Sequence, residues 1–282
     1  MYDFVFHRPS NVDEAANFLR RDGDAKLLAG GQTLLPTMKQ RLAAPKALVD
    51  LAAVAGLSAI EHKGGSLVMG KTDGAMILRG GTLSIGALAR HADVATSPDV
   101  AAAIPALALL AEGIGDPAVR NRGTIGGSVA NNDPSADYPA ACLALAATIV
   151  TNKREIAADK FFTGLFETAL EADEIILSVS YPVPGRAAYA KFRNPASRYA
   201  IVGVFVAEDR GNVRVAVTGA GQSGVFRVAD MERALSNRFD SDAIGKVKVD
   251  AKGLISDIHA AADYRAHLIN VMARRAVRVA AG

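Results

Sequence analysis

Thr124-Ile125-Gly126-Gly127-Ser128-Val129-Ala130-Asn131, entered through Arg120-Asn121-Arg122-Gly123, has an earlier counterpart in Leu27-Leu28-Ala29-Gly30-Gly31-Gln32-Thr33-Leu34. In both, a glycine pair sits where an extended segment begins or ends. Glycine lets the backbone turn at positive φ and come close to a ligand, and successive backbone amides form a concave anion nest. A pyrophosphate is a natural occupant. Neither glycine loop carries a Lys or Arg, and Gln32 is neutral. Phosphate recognition would therefore fall to amide donors and to the hydroxyls of Thr33, Thr124 and Ser128. On these residues alone, two ordinary glycine turns remain an alternative.

The surroundings of the first glycine pair read as α/β. Val12, Ala15, Ala16 and Leu19 recur at helical spacing behind Ser10 or Asn11 as N-cap, which predicts a helix over 12–21. Lys26 to Ala29 reads as a strand, Leu34 to Leu42 as a helix ended by Pro45, and Ala47 to Asp50 as a second buried strand. From Leu57 onward, short β-runs are broken by glycine. Gly64-Gly65-Ser66-Leu67-Val68-Met69-Gly70 is echoed by Gly80-Gly81-Thr82-Leu83-Ser84-Ile85-Gly86, as expected for two neighbouring strands. Helices are expected over 101–112 and 136–145, around the polar loop Gly115 to Gly123. A strand over 174–181 stops at Pro182-Val183-Pro184-Gly185, which reads as a linker. Beyond it come strands at 188–192, 200–207 and 213–218, then helices near 228–235 and 266–279.

Composition removes several function classes. Half of the 282 residues are apolar, enough for a large core, and the net charge of +3 is spread without a dense basic block. Nucleic-acid binding is not expected. The apolar runs Ala101 to Ala111 and Ala140 to Val150 are far shorter than the ~20 residues that cross a bilayer. No membrane span is expected, and the opening Met1-Tyr2-Asp3-Phe4 lacks a secretory pattern, so the cytoplasm is the expected location. The single cysteine, Cys142, lies in an apolar run and reads as a core thiol. An iron–sulfur cluster would need several thiolates and must live in another chain. The five histidines show no zinc-ligand spacing, so no metal site is expected.

Two other glycine motifs compete. Gly65-Ser66-Leu67-Val68-Met69-Gly70-Lys71-Thr72 fits the phosphate-loop spacing GxxxxGK[ST], yet its interior reads as a strand and no helix has room to follow. Gly219-Ala220-Gly221-Gln222-Ser223-Gly224 fits GxGxxG after a strand, but the parallel strand with a ribose-binding acid is missing downstream. An NAD-linked or nucleotide-using enzyme built on one of these is the alternative reading, and a non-catalytic scaffold comes third.

At the double-glycine segments the chain resembles the FAD-binding subunits of the molybdenum hydroxylases: the medium subunit of carbon monoxide dehydrogenases and the flavin domain of xanthine dehydrogenases. The resemblance runs through Phe6-His7-Arg8-Pro9, Leu28 to Pro36 with Met38-Lys39, Leu48-Val49-Asp50-Leu51, Arg120 to Ser128 with Asn131, Asp133-Pro134 and Asp137, Asp173-Glu174-Ile175-Ile176, Asp263-Tyr264-Arg265 and Arg274-Arg275-Ala276-Val277. It implies an α+β fold: a two-lobed FAD-binding domain of the vanillyl-alcohol-oxidase (PCMH) type over 1–180, with lobes of about 1–55 and 56–180, then a smaller α+β domain over 181–282. FAD would lie between the lobes. Its pyrophosphate would rest on Ala29, Gly30, Gly31, Gln32 and Thr33 and on Thr124, Ile125, Gly126, Gly127 and Ser128, flanked by Leu28, Leu34, Asn131 and Asp133. Asp137 would bond ribityl or ribose hydroxyls, Leu27, Ile114, Leu177 and Lys191 would line the cofactor, and Tyr199 would cover one isoalloxazine face. From the residues alone, Asp137 is equally a charge favoured at a helix start, and Tyr199 equally a core aromatic in a strand. Ser128 stands where the family more often has Asn, and Lys71 to Thr82 looks inserted. The implied partners are a large molybdenum-cofactor subunit and a small [2Fe-2S] subunit, as a dimer of heterotrimers, with no catalytic acid, base or nucleophile in this chain.

Overall fold

The computed structural model describes residues 1–69 and 76–282. At the N-terminus, β1 (Val5–His7), α1 (Val12–Arg21), β2 (Lys26–Leu28), α2 (Leu34–Lys39) and β3 (Ala47–Asp50) build a three-stranded parallel sheet in the order β1-β3-β2. Asn11 caps α1 by accepting from the Glu14 amide at 2.9 Å, and Ala15, Ala16 and Leu19 bury the helix against Val49 and Leu51.

Next come β4 (Ile60–Lys63), β5 (Ser66–Met69), β6 (Met76–Arg79) and β7 (Thr82–Gly86), then α3 (His91–Thr96), α4 (Pro98–Ala103), α5 (Pro105–Glu112), α6 (Pro117–Arg120), α7 (Ile125–Asn131) and α8 (Tyr138–Ala144). This part closes with β8 (Thr148–Thr151), β9 (Glu155–Ala157), α9 (Ala158–Phe161), β10 (Phe162–Gly164), β11 (Glu167–Thr168) and β12 (Ile176–Pro182). Its main sheet is antiparallel, in the order β4-β7-β12-β8-β9, and α5, α7 and α8 contribute to the apolar core packed on it.

Three expectations are corrected here. The echoed strands β5 and β7 are not neighbours: β5 pairs with β6, whereas β7 lies between β4 and β12. Gly64, Gly65, Gly80 and Gly81, all at positive φ, bend both sides of the antiparallel pairing of β4–β5 with β6–β7 at the same level, so the repeat records the bend. The helix expected over 101–112 is broken. Pro105 has no N–H to continue it and holds Ile104 at φ −141°, so α4 and α5 separate there. The polar loop 115–123 contains the short helix α6, started by Pro117 and capped by Asp116.

The C-terminal part comprises β13 (Arg186–Arg193), β14 (Ala200–Asp209), β15 (Asn212–Thr218), β16 (Phe226–Arg227), α10 (Ala229–Asn237) and α11 (Ala262–Ala281). Its strands run antiparallel in the order β13-β14-β15-β16. The unbroken apolar run of β14 reflects burial on both faces. Val202, Val204 and Val206 pack with α11, while Phe205 and Ala207 join the core of the preceding part. The stretch read as a linker is packed too: Val183 is buried and its amide donates to Gly81 O.

Neither competing glycine motif has its required setting. Gly219 to Gly224 joins two antiparallel strands, and α10 follows only after β16. Gly219 is held by its own bonds, its amide to Pro134 O and its carbonyl to the Arg265 guanidinium. Of the phosphate-loop match, Ser66 to Met69 is strand, and Gly70, Lys71 and Thr72 lie outside the described residues, as does the first part of the segment Lys71 to Thr82.

Candidate functional site

A cavity of about 860 Å³ lies where the N-terminal sheet, α7 and the C-terminal sheet meet, at the large end of small-molecule sites. Its wall includes Leu27 to Leu34, Ile114, Thr124, Gly126, Gly127, Ser128, Asn131, Asp133, Asp137, Lys191 and Tyr199. Two residues expected there are elsewhere: Ile125 is fully buried in the central core, and Leu177 packs against the N-terminal core.

The two glycine segments differ physically. Among the described residues, the amides of Gly30, Gly31, Gln32, Thr33 and Leu34, all on the cavity wall, donate no hydrogen bond. These residues are half-buried or exposed, so the run of donors is open to the cavity and suits an anionic ligand. Gly31 has φ 72°, the turn expected of it. Gly30 is required by space: a Cβ there would lie 2.1 Å from Arg122 O, so the two segments touch backbone to backbone.

The second segment is not a loop. Thr124 caps α7 by accepting from the Gly127 amide at 3.2 Å. The amides of Ile125, Gly126 and Ser128 donate to Ala89 O, Ala87 O and Thr124 O. These four donors are spent within the protein, so the second segment offers a close apolar floor and side-chain polar groups instead of an amide nest. Gly126 is pressed onto Ala87, where a Cβ would approach within 2.5 Å, whereas the nearest atom to a Cβ on Gly127 is Thr124 Oγ1 at 3.0 Å. Gly127→Val should therefore leave the apoprotein's thermal midpoint within about 2 °C of the parent while lowering FAD occupancy severalfold, since surface changes cost ~0.5 kcal/mol or less. Full flavin content in the purified variant would remove this residue from the cofactor floor.

Asp137 precedes α8 but does not cap it. Its carboxylate accepts from Lys191 Nζ at 2.9 Å and from the Tyr189 hydroxyl, and Lys191 Nζ also donates to Gly113 O at 3.2 Å. The ion-paired side chains are only 4–5% exposed. Burial raises the Asp137 carboxyl, while the Lys191 charge and the Tyr189 and Lys191 hydrogen bonds pull it back. Tyr199 is 57% exposed at the cavity rim just ahead of β14, which excludes the core-aromatic alternative.

His91, Phe166, Glu174 and Arg198 also line the cavity and were not anticipated. His91 reaches it because the bridge Arg90↔Thr124 draws the start of α3 against the second glycine segment, a pairing with no local sequence signal. Its Nδ1 is buried without a partner among the described residues, and burial, aided by the Arg120 charge, pushes its pKa down to about 4. Glu174 accepts from Thr151 Oγ1, Arg154 Nε and the Glu171 amide at 2.7 to 3.0 Å. Burial opposes this, but these donors prevail and hold its pKa near 2.

The two shifts act in different windows. His91 stays neutral in the fold while the unfolded chain protonates, so stability falls by about 1.4 kcal/mol per unit as pH drops from ~6.5 to 4. Glu174 contributes stability that is intact above ~4.5 and is lost as pH falls towards 2. Denaturant unfolding of the apoprotein at stepped pH should show His91→Gln flattening only the upper window. An unchanged slope there would place the acid sensitivity elsewhere.

A model of the FAD binding domain in molybdopterin dehydrogenase matches residues 2–72 and 75–184. The chain belongs to this family. The flavoprotein is 35% identical to the nicotine 6-hydroxylase medium subunit of Paenarthrobacter nicotinovorans, over 95% of this chain and 94% of that one. It is 34% identical to the carbon monoxide dehydrogenase medium chain of Hydrogenophaga pseudoflava, over 98% and 96%. Among solved structures, carbon monoxide dehydrogenase from H. pseudoflava superposes with a TM-score of 0.82 at 32% identity, covering 99% of this chain and 97% of that chain. Quinoline 2-oxidoreductase from Pseudomonas putida 86 gives 0.85 at 29% identity, with the same coverage. The flavoprotein is thus an FAD-binding oxidoreductase subunit of the molybdenum hydroxylase family. The cavity fits this cofactor through its volume, its free amide run and the backbone contact that Gly30 permits. Among the described residues, no helix is long and apolar enough to cross a membrane.

Proposed function

We propose that this chain is an electron relay: bound FAD takes electrons from iron–sulfur clusters in a partner subunit and yields them to an external acceptor. The observation that carries the reading is the pairing of a cavity suited to FAD with a single cysteine. Cys142 is buried, its Sγ lies 3.4 Å from the Tyr181 hydroxyl, and burial pushes its thiol up to about 12, so it is no cluster ligand. The clusters therefore belong to a small [2Fe-2S] subunit. Substrate oxidation belongs to a large molybdenum-cofactor subunit, the three forming a dimer of heterotrimers. The relatives' names as medium chains fit such an assembly.

In this reading residues 1–180 are the FAD-binding domain and 181–282 its C-terminal companion. The Ala29 to Thr33 amides receive the pyrophosphate, Asp137 holds ribityl or ribose hydroxyls, and Lys191 and Tyr199 bound the isoalloxazine end. FAD supplies the redox chemistry, and this chain supplies placement, charge and exclusion of water.

The test expresses the chain alone and with its genomic neighbours, then adds candidate substrates anaerobically. The assembly should bleach its flavin, while the chain alone should remain yellow and unreduced. Substrate-dependent bleaching of the chain alone overturns the relay.

A further inference from the structure

Tyr189 is not on the cavity wall, yet its hydroxyl donates to Asp137 Oδ1. The strand register explains how it gets there. Lys191 stands opposite Gly203, and Gly203 opposite Thr218, across three adjacent strands, with Tyr189 two residues from Lys191 and hence on the same face of the sheet. Glycine inside a central strand is unfavourable and marks a close approach. Here a Cβ on Gly203 would lie 2.2 Å from the Tyr189 hydroxyl oxygen and 2.9 Å from Thr218 Cγ2. The missing side chain is the space through which the phenol crosses the sheet face. Thr218 Oγ1, on that face, lies within hydrogen-bond distance of Pro134 O and Ala136 O, tying down the segment that presents Asp137.

We propose that Tyr189, in the space left by Gly203, is a positioning residue for the cofactor site, fixing the Asp137 carboxylate so that its remaining lone pairs face the cavity. The inference rests on the reading that Asp137 contacts FAD. An ionised carboxylate has about four acceptor sites. Tyr189 and Lys191 occupy two of them from the C-terminal sheet. The rest are available to ligand hydroxyls, in an orientation that the carboxylate's own χ2, which is broad, would not impose.

The experiment measures FAD dissociation constants by titrating the deflavinated protein, in the assembly with which it purifies, for Tyr189→Phe, Asp137→Asn, their combination and Gly203→Ala. Asp137→Asn should weaken FAD binding, and Tyr189→Phe should weaken it about tenfold, the scale of a hydrogen bond to a charged group. In the Asp137→Asn background, Tyr189→Phe should add nothing, because it acts through that carboxylate; a merely structural loss would appear equally in both backgrounds. Gly203→Ala should match Tyr189→Phe, and if that variant does not fold, the cycle between Tyr189 and Asp137 still decides. Unchanged affinity in Asp137→Asn overturns the underlying contact. Weakened Asp137→Asn with unchanged Tyr189→Phe, or equal losses in both backgrounds, overturns the positioning role.

Discussion

Gly30→Ala should purify with markedly less flavin than the parent. Its Cβ would sit 2.1 Å from Arg122 O, 2.7 Å from Arg122 C and 2.8 Å from Gly123 Cα, and all three obstacles are backbone. No side-chain rotation relieves the overlap, so the segment carrying the free amides must move away from the one leading into α7. Overpacking of this kind costs ~1–3 kcal/mol, and since the strain bears on the ligand site, affinity should fall about tenfold to a hundredfold. Flavin-to-protein ratios from absorbance check this directly. A ratio equal to the parent's means that the two segments need not touch for FAD to bind. Gly127→Val makes a useful contrast, because it adds more bulk at a position where the near atoms, Thr124 Oγ1 and Ala29 Cβ, belong to side chains and not to backbone.

The second large effect concerns stability. Lys191→Met should lower the unfolding free energy of the apoprotein by about 3–5 kcal/mol, because it leaves the Asp137 carboxylate buried without its cation. Adding Asp137→Leu should recover most of that loss, since a buried ion pair replaced as a whole by apolar side chains is often neutral. The double variant should nevertheless bind FAD poorly. Denaturant titration with and without FAD separates the two effects. A loss below ~1 kcal/mol in the single variant would mean that Tyr189 alone suffices to satisfy the carboxylate.

Periodicity and caps made much of the fold legible: α1 over 12–21 and β3 over 47–50 coincide with their patterns, and the continuous apolar run at 200–207 became a strand buried on both faces. The cofactor family was legible through Leu28 to Pro36 and Arg120 to Asn131, whose order along the chain is specific. Local reading failed where the outcome depended on a distant partner. Thr124 to Ser128 looked like a second phosphate loop, but Ala87 and Ala89 supply the acceptors that take up two of its amides, and a helix forms instead. Gly126 and Gly127 look identical in sequence, yet one is pressed onto Ala87 and the other opens on the cavity.

The sequence by itself determined elements such as α1, β3 and β14, the single cysteine and the two glycine segments, because backbone propensity, side-chain period and composition act over a few residues. The tertiary structure alone decided that His91 joins the cavity wall, that Tyr189 passes over Gly203 to Asp137, and that only the first glycine segment keeps free donors. Each of these depends on contacts between residues more than ten positions apart, for the second glycine segment those of Ile125 and Gly126 with Ala89 and Ala87, whose closeness is set by how sheets and helices pack and leaves no trace in local spacing.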